Sequence, residues 1–398
     1  MFLIELKIEV NFLENNTVLL HKSHRKDFQK TKYFPGTIGN PFDLILRKFN
    51  QINEIHPIVF FLLMIFLSGI ISIFRADRWI ILMAAVLLDW LIIWSLPKLL
   101  ISFGPLFSQI FLLFILRSVF IWMPYPINLI LEIIGTLLVF IGFVVEPSSI
   151  KVTKYNYSSK KINFPTKIKF LQIGDIHLEK HGRRETRLIS EIAKLKPQFI
   201  LFTGDFLNLS FNQNKESIGQ VISLINEINE IAPTYFVNGS PAVDLKESLK
   251  EIEAFTNAIY IKNDIFPLKI DGSEINLIGI QCSHIPSNDY AQLKKIRTHP
   301  ELFNILMYHS PDLIFELDPD SNIDLMVSGH THGGQVRIPF FGAVISASLY
   351  GRKLQYGLYK LESTILSITR GIGLEGMGAP RVRFLCKPEI IEWTLLSG

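Results

Sequence analysis

Hydrophobic and polar positions divide the chain into two kinds of sequence. Four apolar stretches follow one another between Pro57 and Val145. Pro57–Phe74 carries no charge, Trp79–Leu96 only Asp89, Leu99–Leu116 none before Arg117, and Ile127–Val145 only Glu132. A bilayer crossing takes about 17–25 residues, so the pattern predicts four transmembrane helices. Trp79, Trp90, Trp94, Trp122 and Tyr125 lie mostly near their ends, where aromatic rings favour the membrane interface. Asp89 and Glu132 are costly in hydrocarbon; with no internal repeat to suggest a transport path, they are expected to face each other, a Ser or a Gln inside a bundle that serves as an anchor.

From Lys151 the pattern changes to short β-rich runs separated by helical segments. Ile168–Ile173, Phe199–Phe202, Thr234–Val237, Asn276–Ile280, Phe303–Met307 and Ile323–Val327 read as strands. Leu188–Leu195 and Ile218–Ile231 read as amphipathic helices between the first three, and Ile345–Ile368 adds further strands. The alternation predicts an α/β domain. The expected organisation is a basic N-terminal segment over residues 1–56, the anchor over 57–145, a linker over 146–166 and the α/β domain over 167–398.

Composition sharpens this division. Of 76 charged residues only seven fall among the 89 positions from Pro57 to Val145, which excludes one uniform soluble body. Thirty-one Phe residues and a mean hydropathy of +0.30 exclude long disorder. Two cysteines, Cys282 and Cys386, cannot build a disulfide framework or a Cys-rich zinc site. A net charge of +4 gives no support to a nucleic-acid partner. Eight Lys and Arg precede the apolar block and six Lys lie between Glu146 and Phe170. Both flanks therefore belong on the cytoplasmic face, with Arg75 and Arg78 the minor exceptions. Glu5, Lys7 and Glu9 interrupt the first residues, so no cleaved signal peptide is expected.

The chemistry gathers at the ends of the predicted strands. Gly174-Asp175-Ile176-His177 follows the first, Thr203-Gly204-Asp205 the second, Tyr308-His309-Ser310-Pro311 the fifth, and Ser328-Gly329-His330-Thr331-His332-Gly333-Gly334-Gln335 the sixth. Open α/β sheets place active groups at the carboxyl ends of strands. Asp and His are the oxygen and nitrogen donors that suit Mn, Fe or Zn. A single such Asp is often a helix N-cap and a single His often a satisfied core residue. Four pieces in this order point to a metal centre.

With these motifs the sequence resembles the calcineurin-like metallophosphoesterase superfamily from about Lys151 to the C-terminus. The family's ordered signature is D-x-H, G-D, G-N-H-D/E, a His, then G-H-x-H. The Gly-His-Thr-His-Gly-Gly-Gln run, with Tyr350-Gly351-Arg352 and Tyr356-Gly357-Leu358-Tyr359 beyond it, is similar to the membrane-anchored bacterial branch. That branch includes pyrophosphohydrolases of UDP-2,3-diacylglucosamine in lipid A synthesis, in bacteria such as chlamydiae. The resemblance implies two packed mixed β-sheets flanked by helices and two divalent metal ions, Mn²⁺ first, with Fe, Zn or Mg as alternatives. By it, Asp175, His177, Asp205 and His332 would bind one metal with Asp205 bridging, and His309 and His330 the second. It also implies an inner-membrane enzyme with a cytoplasmic catalytic domain and a lipid-linked phosphate or pyrophosphate as substrate.

One part of the signature is missing. The third strand leads into Asn238-Gly239-Ser240-Pro241-Ala242, so Ser240 stands for the ligating Asn and Pro241 for the catalytic His. A hydroxyl is a poorer ligand than an amide oxygen, and a Pro side chain moves no proton. Asn238, Asp244 and His284 are candidates to compensate. The departure suits a phosphoanhydride, whose phosphate leaving group needs no proton, better than an alkyl monoester. A phosphatase of another lipid or isoprenoid phosphate and a silent metal-binding membrane module are the alternatives. Arg183 and Arg184, with Arg187, could clamp a second phosphate or form a solvated helix face. The Gly371-Ile372-Gly373-Leu374-Glu375-Gly376 run fits a dinucleotide fingerprint, yet Met377-Gly378-Ala379-Pro380 follows in place of a helix, so no NAD site is expected. Pro339-Phe340-Phe341-Gly342 reads either as a core turn or as a loop that dips into lipid.

Overall fold

Strand periodicity in the C-terminal part sets up two stacked sheets. The computed structural model describes residues 17–26, 28, 34–73, 75–163 and 165–398. In chain order its strands are β1 Thr17–Leu19, β2 Lys151–Ser159, β3 Lys167–Ile173, β4 Phe199–Phe202, β5 Thr234–Phe236, β6 Ile259–Tyr260, β7 Asp264–Ile270, β8 Ser273–Gly279, β9 Phe303–Met307, β10 Leu325–Ser328, β11 Arg337–Ile338, β12 Gly342–Ala343, β13 Gly357–Leu361, β14 Thr364–Ile368 and β15 Glu389–Ser397. One mixed sheet runs β2-β15-β3-β4-β5-β6 and the other β1-β13-β14-β10-β9-β8-β7, with β11 and β12 as a separate hairpin. Successive side chains of a strand face opposite ways. Ile168 and Phe170 of β3 therefore join Phe199, Leu201, Phe303, Ile305, Leu325 and Trp393 between the sheets. Leu171 and Ile173 point to the opposite face and meet the helices there.

Two of those helices are α6 Arg183–Leu195 and α7 Lys215–Ile231, which seat Leu188, Ile192, Ile218, Val221, Leu224, Ile225 and Ile228 on the smaller sheet. Asn214 caps α7 by accepting from Ser217 N. In α6 the Glu185 carboxylate reaches back to Gly182 N at 2.9 Å, so the helix starts five residues before the expected Leu188. Helices α8 Lys246–Phe255 and α9 Pro286–Leu293 complete the domain. The α/β class and six of the strands stand where the sequence put them, to within three residues. The stretch expected as a linker contains β2, which pairs in parallel with β15 over nine residues. Residues 17–19 of the N-terminal segment form β1, paired in parallel with β13.

The apolar block forms α2 Pro57–Ile71, α3 Ala76–Ser95, α4 Phe107–Ser118 and α5 Ile127–Phe140, preceded by α1 Pro41–Asn50. Four separate spanning helices are not what this block shows. Among the described residues only Ile127–Ser148 is by itself long and apolar enough to cross a membrane. Pro57–Ile71 qualifies only if joined to Pro41–Glu54 across a 103° bend, and Phe107–Trp122 is short. The third stretch fails because its first half is not helix. Leu100 O accepts Arg183 N at 2.8 Å and Glu179 Oε2 accepts Phe103 N at 2.9 Å, so this backbone is spent on the α/β domain.

The expected pairing of Asp89 with Glu132 is replaced by a triad. Arg117 donates to Asp89 at 2.6 and 2.7 Å and to the Glu132 carboxylate at 2.6 Å. The block thus turns polar groups inward and apolar ones outward. Leu62, Phe66, Ile80, Leu88, Leu91, Ile115, Ile130, Ile133 and Leu137 are exposed.

Candidate metal centre

Each chemical group comes from the carboxyl end of a strand, and all but His309 sit on strained backbone. Asp175 and His177 follow β3, Asp205 follows β4, His284 follows β8, His309 follows β9, and His330 and His332 follow β10. Six of these seven have positive φ: Asp175 +49°, His177 +42°, Asp205 +56°, His284 +62°, His330 +71° and His332 +51°. Such φ values are uncommon outside glycine and gather where function fixes the backbone. All seven side chains are buried.

The side chains converge on one centre. His332 Nε2 lies 2.9 Å from His177 Nε2, and His177 Nε2 lies 3.4 Å from Asp205 Oδ2. The same Asp205 oxygen is 3.3 Å from His309 Nε2, and Asp175 Oδ1 is 3.8 Å from His309 Nδ1. Asp205 therefore stands between the His177–His332 pair and His309. Three groups place their donor atoms within 4.8 Å of one another: Asp175, His177 and His332; Asp175, Asp205 and His309; and His284, His309 and His330. The first two join the six residues expected as ligands except His330, and the third adds His330 together with His284.

Backbone carbonyls orient two of the rings. His309 Nδ1 donates to Thr203 O at 2.7 Å, which turns its Nε2 lone pair toward Asp205. His330 Nε2 donates to Ala347 O at 3.2 Å, leaving Nδ1 free. Such carbonyl partners set which ring nitrogen is available for a metal. Burial, reinforced by His309, pushes the His330 imidazole down to about 3. Burial and the neighbouring His177 hold His332 well below the ordinary histidine range. Burial would raise Asp205, but His309 and His177 hold its carboxyl well below the usual carboxylate range.

These features fit a pair of divalent cations. Neutral imidazoles and ionised carboxylates are the ligating forms, and buried polar atoms ordinarily have partners. Here Asp175 Oδ2, His177 Nδ1 and His332 Nδ1 are buried without any hydrogen-bond partner. Two nearly touching imidazole nitrogens beside a carboxylate are repulsive as lone pairs and complementary around a cation.

Of the three candidates to compensate for the missing Asn-His pair, two are structural. Asp244 accepts from the backbone N–H groups of Asp205, Phe206 and Gly239 at 2.9, 2.9 and 2.7 Å. Asn238 bridges Gly239 O and the backbone of Cys282. His284 instead enters the centre, with Nε2 3.0 Å from Ser240 Oγ. It lies outside every motif of the signature, and the sequence offered it only as one of three candidates to compensate.

The two arginines of the expected clamp have different surroundings. Arg184 is buried, with its Nε and Nη2 on Glu185 Oε1 at 2.9 and 2.7 Å and its Nη1 without a hydrogen-bond partner. Arg183 is exposed in a groove lined by Leu100, Thr186 and Arg187. The glycine run that imitated a dinucleotide fingerprint packs against the first motif. Gly371 has φ +66°, and a Cβ there would lie 2.6 Å from the Asp175 Cβ. Arg383, fully buried, gathers this loop by donating to Arg370 O, Gly371 O and Gly373 O. A cavity of about 450 Å³ opens between Asp43, Leu44 and Arg47 of α1 and Leu209, Ala242 and Met377 of the domain.

Comparison with known proteins agrees with this geometry. The family model for the calcineurin-like phosphoesterases matches residues 168–334. The uncharacterized metallophosphoesterase YkuE of Bacillus subtilis is 31% identical over 262 residues, covering 63% of this chain and 87% of YkuE. The UDP-2,3-diacylglucosamine pyrophosphatase LpxG of Chlamydia trachomatis is 25% identical over 301 residues, covering 62% of this chain and 89% of LpxG. The phosphodiesterase YaeI of Escherichia coli is 27% identical over 261 residues, covering 62% and 88%. The strand-end signature, the convergent Asp and His donors and these matches together make the chain a member of the calcineurin-like metallophosphoesterase family, a hydrolase of phosphate ester or anhydride bonds.

Proposed function

We propose that this protein is a membrane-anchored, dimetal phosphohydrolase that cleaves the pyrophosphate of a lipid-linked substrate, of the UDP-2,3-diacylglucosamine kind that the name of its relative LpxG specifies. The observation that carries the hydrolytic part is Asp205, held between His177 and His309 at 3.4 and 3.3 Å. In this reading Asp175, His177, Asp205 and His332 hold one cation, Asp205, His309 and His330 the second, and Mn²⁺ is the preferred ion. When bound, such a pair acidifies a water and neutralises charge on the phosphoryl oxygens.

The protein's own residues supply the rest. Thr203 O and Ala347 O fix the faces that His309 and His330 present. Ser240 N donates to Asp205 Oδ1 at 2.6 Å and His330 N to Asp175 Oδ1 at 2.9 Å, which locks the carboxylates in place. Pro241 offers no proton for a leaving group, which suits an anhydride because a leaving phosphate is stable unprotonated at neutral pH.

Support for a membrane site comes from the helical block. Its helix faces are apolar outward and the charges of Asp89, Arg117 and Glu132 lie inside, the reverse of a soluble bundle. In this reading Ile127–Ser148 spans the bilayer, α2 to α4 pack around it, and the catalytic domain faces the cytoplasm. Ile338, Phe340 and Phe341 on the β11–β12 hairpin are exposed, which in this reading makes the turn the lipid-dipping alternative.

The test is hydrolysis by purified protein with Mn²⁺ or Mg²⁺, using UDP-2,3-diacylglucosamine and an alkyl phosphomonoester side by side. Cleavage of the anhydride alone supports the reading. Preference for the monoester points to a lipid phosphatase, and inactivity on both with every metal points to a silent module.

A further inference from the structure

The Ser240 departure leaves the second half of the centre one strong ligand short, and the fold brings a histidine to that place from a different loop. His284 lies beyond β8, on backbone with φ +62°. Its ring centroid is 4.4 Å from that of His330 and 5.7 Å from that of His309. The donor atoms of the three rings lie within 4.8 Å of one another. Ser240 Oγ touches His284 Nε2 at 3.0 Å, His309 Nε2 at 3.1 Å and Asp205 Oδ2 at 3.3 Å. The short residue at position 240 thus sits in the middle of three donors that face inward, and its hydroxyl is too small to fill the space an amide would occupy.

We infer that His284 is a ligand of the second cation and takes over the role that an Asn at position 240 would otherwise have. This rests on the dimetal reading proposed above. A second observation concerns the space at Nε2. Gly36 of the N-terminal segment has φ +81°, and a Cβ built there would lie 2.3 Å from His284 Nε2. Only a glycine backbone fits beside this imidazole, and any side chain at position 36 would push the ring from its place. Gly36 O in turn accepts Ala242 N at 3.1 Å, which ties this turn to the loop carrying Ser240. The exchange is one of neutral donors: an imidazole nitrogen replaces an amide oxygen, so the charge of the second site is unchanged. The softer nitrogen shifts its preference toward Fe²⁺ or Zn²⁺ and away from Mg²⁺.

The test is metal stoichiometry and Mn²⁺ binding isotherms on the full-length detergent-solubilised protein, with the spin-coupled dimanganese EPR signal as a second readout. Wild type is expected to hold two Mn²⁺ per chain. His284→Ala should keep one site at wild-type affinity, weaken the other at least about tenfold, and lose the coupled signal. Adding Ser240→Asn to that variant should restore the second site. His284→Gln, whose amide oxygen can still ligate, should lie between them, and it guards against a folding defect because it preserves ring-sized bulk. Two sites of unchanged affinity in His284→Ala would overturn the inference, as would loss of both sites together or failure of Ser240→Asn to restore the second. Fewer than two Mn²⁺ in wild type would instead overturn the dimetal reading on which it rests.

Discussion

Replacing Arg117 with Met isolates the ion triad that organises the helical block. Arg117 gives two hydrogen bonds to Asp89, one to the Glu132 carboxylate, one to Glu132 O at 3.0 Å and one to Thr136 at 2.9 Å. The side chains of Arg117, Asp89 and Glu132 are 3%, 0% and 3% exposed, so water cannot take over any of these bonds. Met matches the bulk but leaves two buried carboxylates without a cation, a loss of about 3–5 kcal/mol for breaking a buried pair. That is about a fifth or more of the stability of a domain at about 5–15 kcal/mol. For a cooperative unit of this size each kcal/mol lowers Tm by about 2–4 °C, so the variant should melt about 6–20 °C below wild type. Tryptophan fluorescence in detergent, to which Trp79, Trp90 and Trp94 of α3 contribute three of the five indoles, reports this transition. The triple variant Asp89→Leu, Arg117→Met, Glu132→Leu should recover most of the loss, because removing all the charges leaves nothing uncompensated. A Tm for Arg117→Met within 1–2 °C of wild type (about the error of a melt) would refute the reasoning.

Gly36→Ala should weaken the second metal site selectively, since its Cβ would meet His284 Nε2 and its φ of +81° disfavours any side chain; an unchanged Mn²⁺ isotherm would contradict this. Ser240→Asn with Pro241→His should leave anhydride hydrolysis within about tenfold while raising monoesterase activity, because a proton donor is worth about 10²–10⁴-fold only where the leaving group needs one. Parallel kinetics on the two substrates decide it. Asp312 is buried, accepts from Ser348 Oγ at 2.5 Å and Leu349 N at 3.0 Å, and burial pushes its carboxyl up to about 6. The folded state therefore holds this proton more tightly than the unfolded chain, and the group's contribution to stability falls as pH rises from about 4 to about 6. Asp312→Asn should flatten that part of the Tm-against-pH curve, and an unaltered slope would show that Asp312 does not titrate there.

The catalytic half was legible because its information is local. Alternating apolar runs marked β3, β4, β9 and β10, and Asp175, His177, Asp205, His309, His330 and His332 each sit directly after one of them. What was not legible depends on long-range partners. β2 is half-polar and acquires strand form by pairing with β15, more than two hundred residues away. β1 is a three-residue edge whose partner is β13. Leu99–Phe103 looks like the start of a helix, yet Glu179 and Arg183 capture its backbone. Hydropathy alone counts four stretches and cannot register that capture, nor that Arg117 is the partner of both buried acids. His284 belongs to no motif, and only the fold of β8 beside β9 delivers it to His309 and His330.

The most direct test of the central claim is metal content and phosphoanhydride turnover measured on the same samples of wild type and Asp205→Asn. Asp205 stands between the two groups of donors at 3.4 and 3.3 Å, so its loss should disturb both at once. Wild type should hold two divalent ions per chain and hydrolyse the anhydride. Asp205→Asn should hold fewer ions and lose more than about 100-fold in turnover, since even outer partners of metal ligands are worth about 10–100-fold. Full turnover with an unchanged metal content in Asp205→Asn would contradict the account.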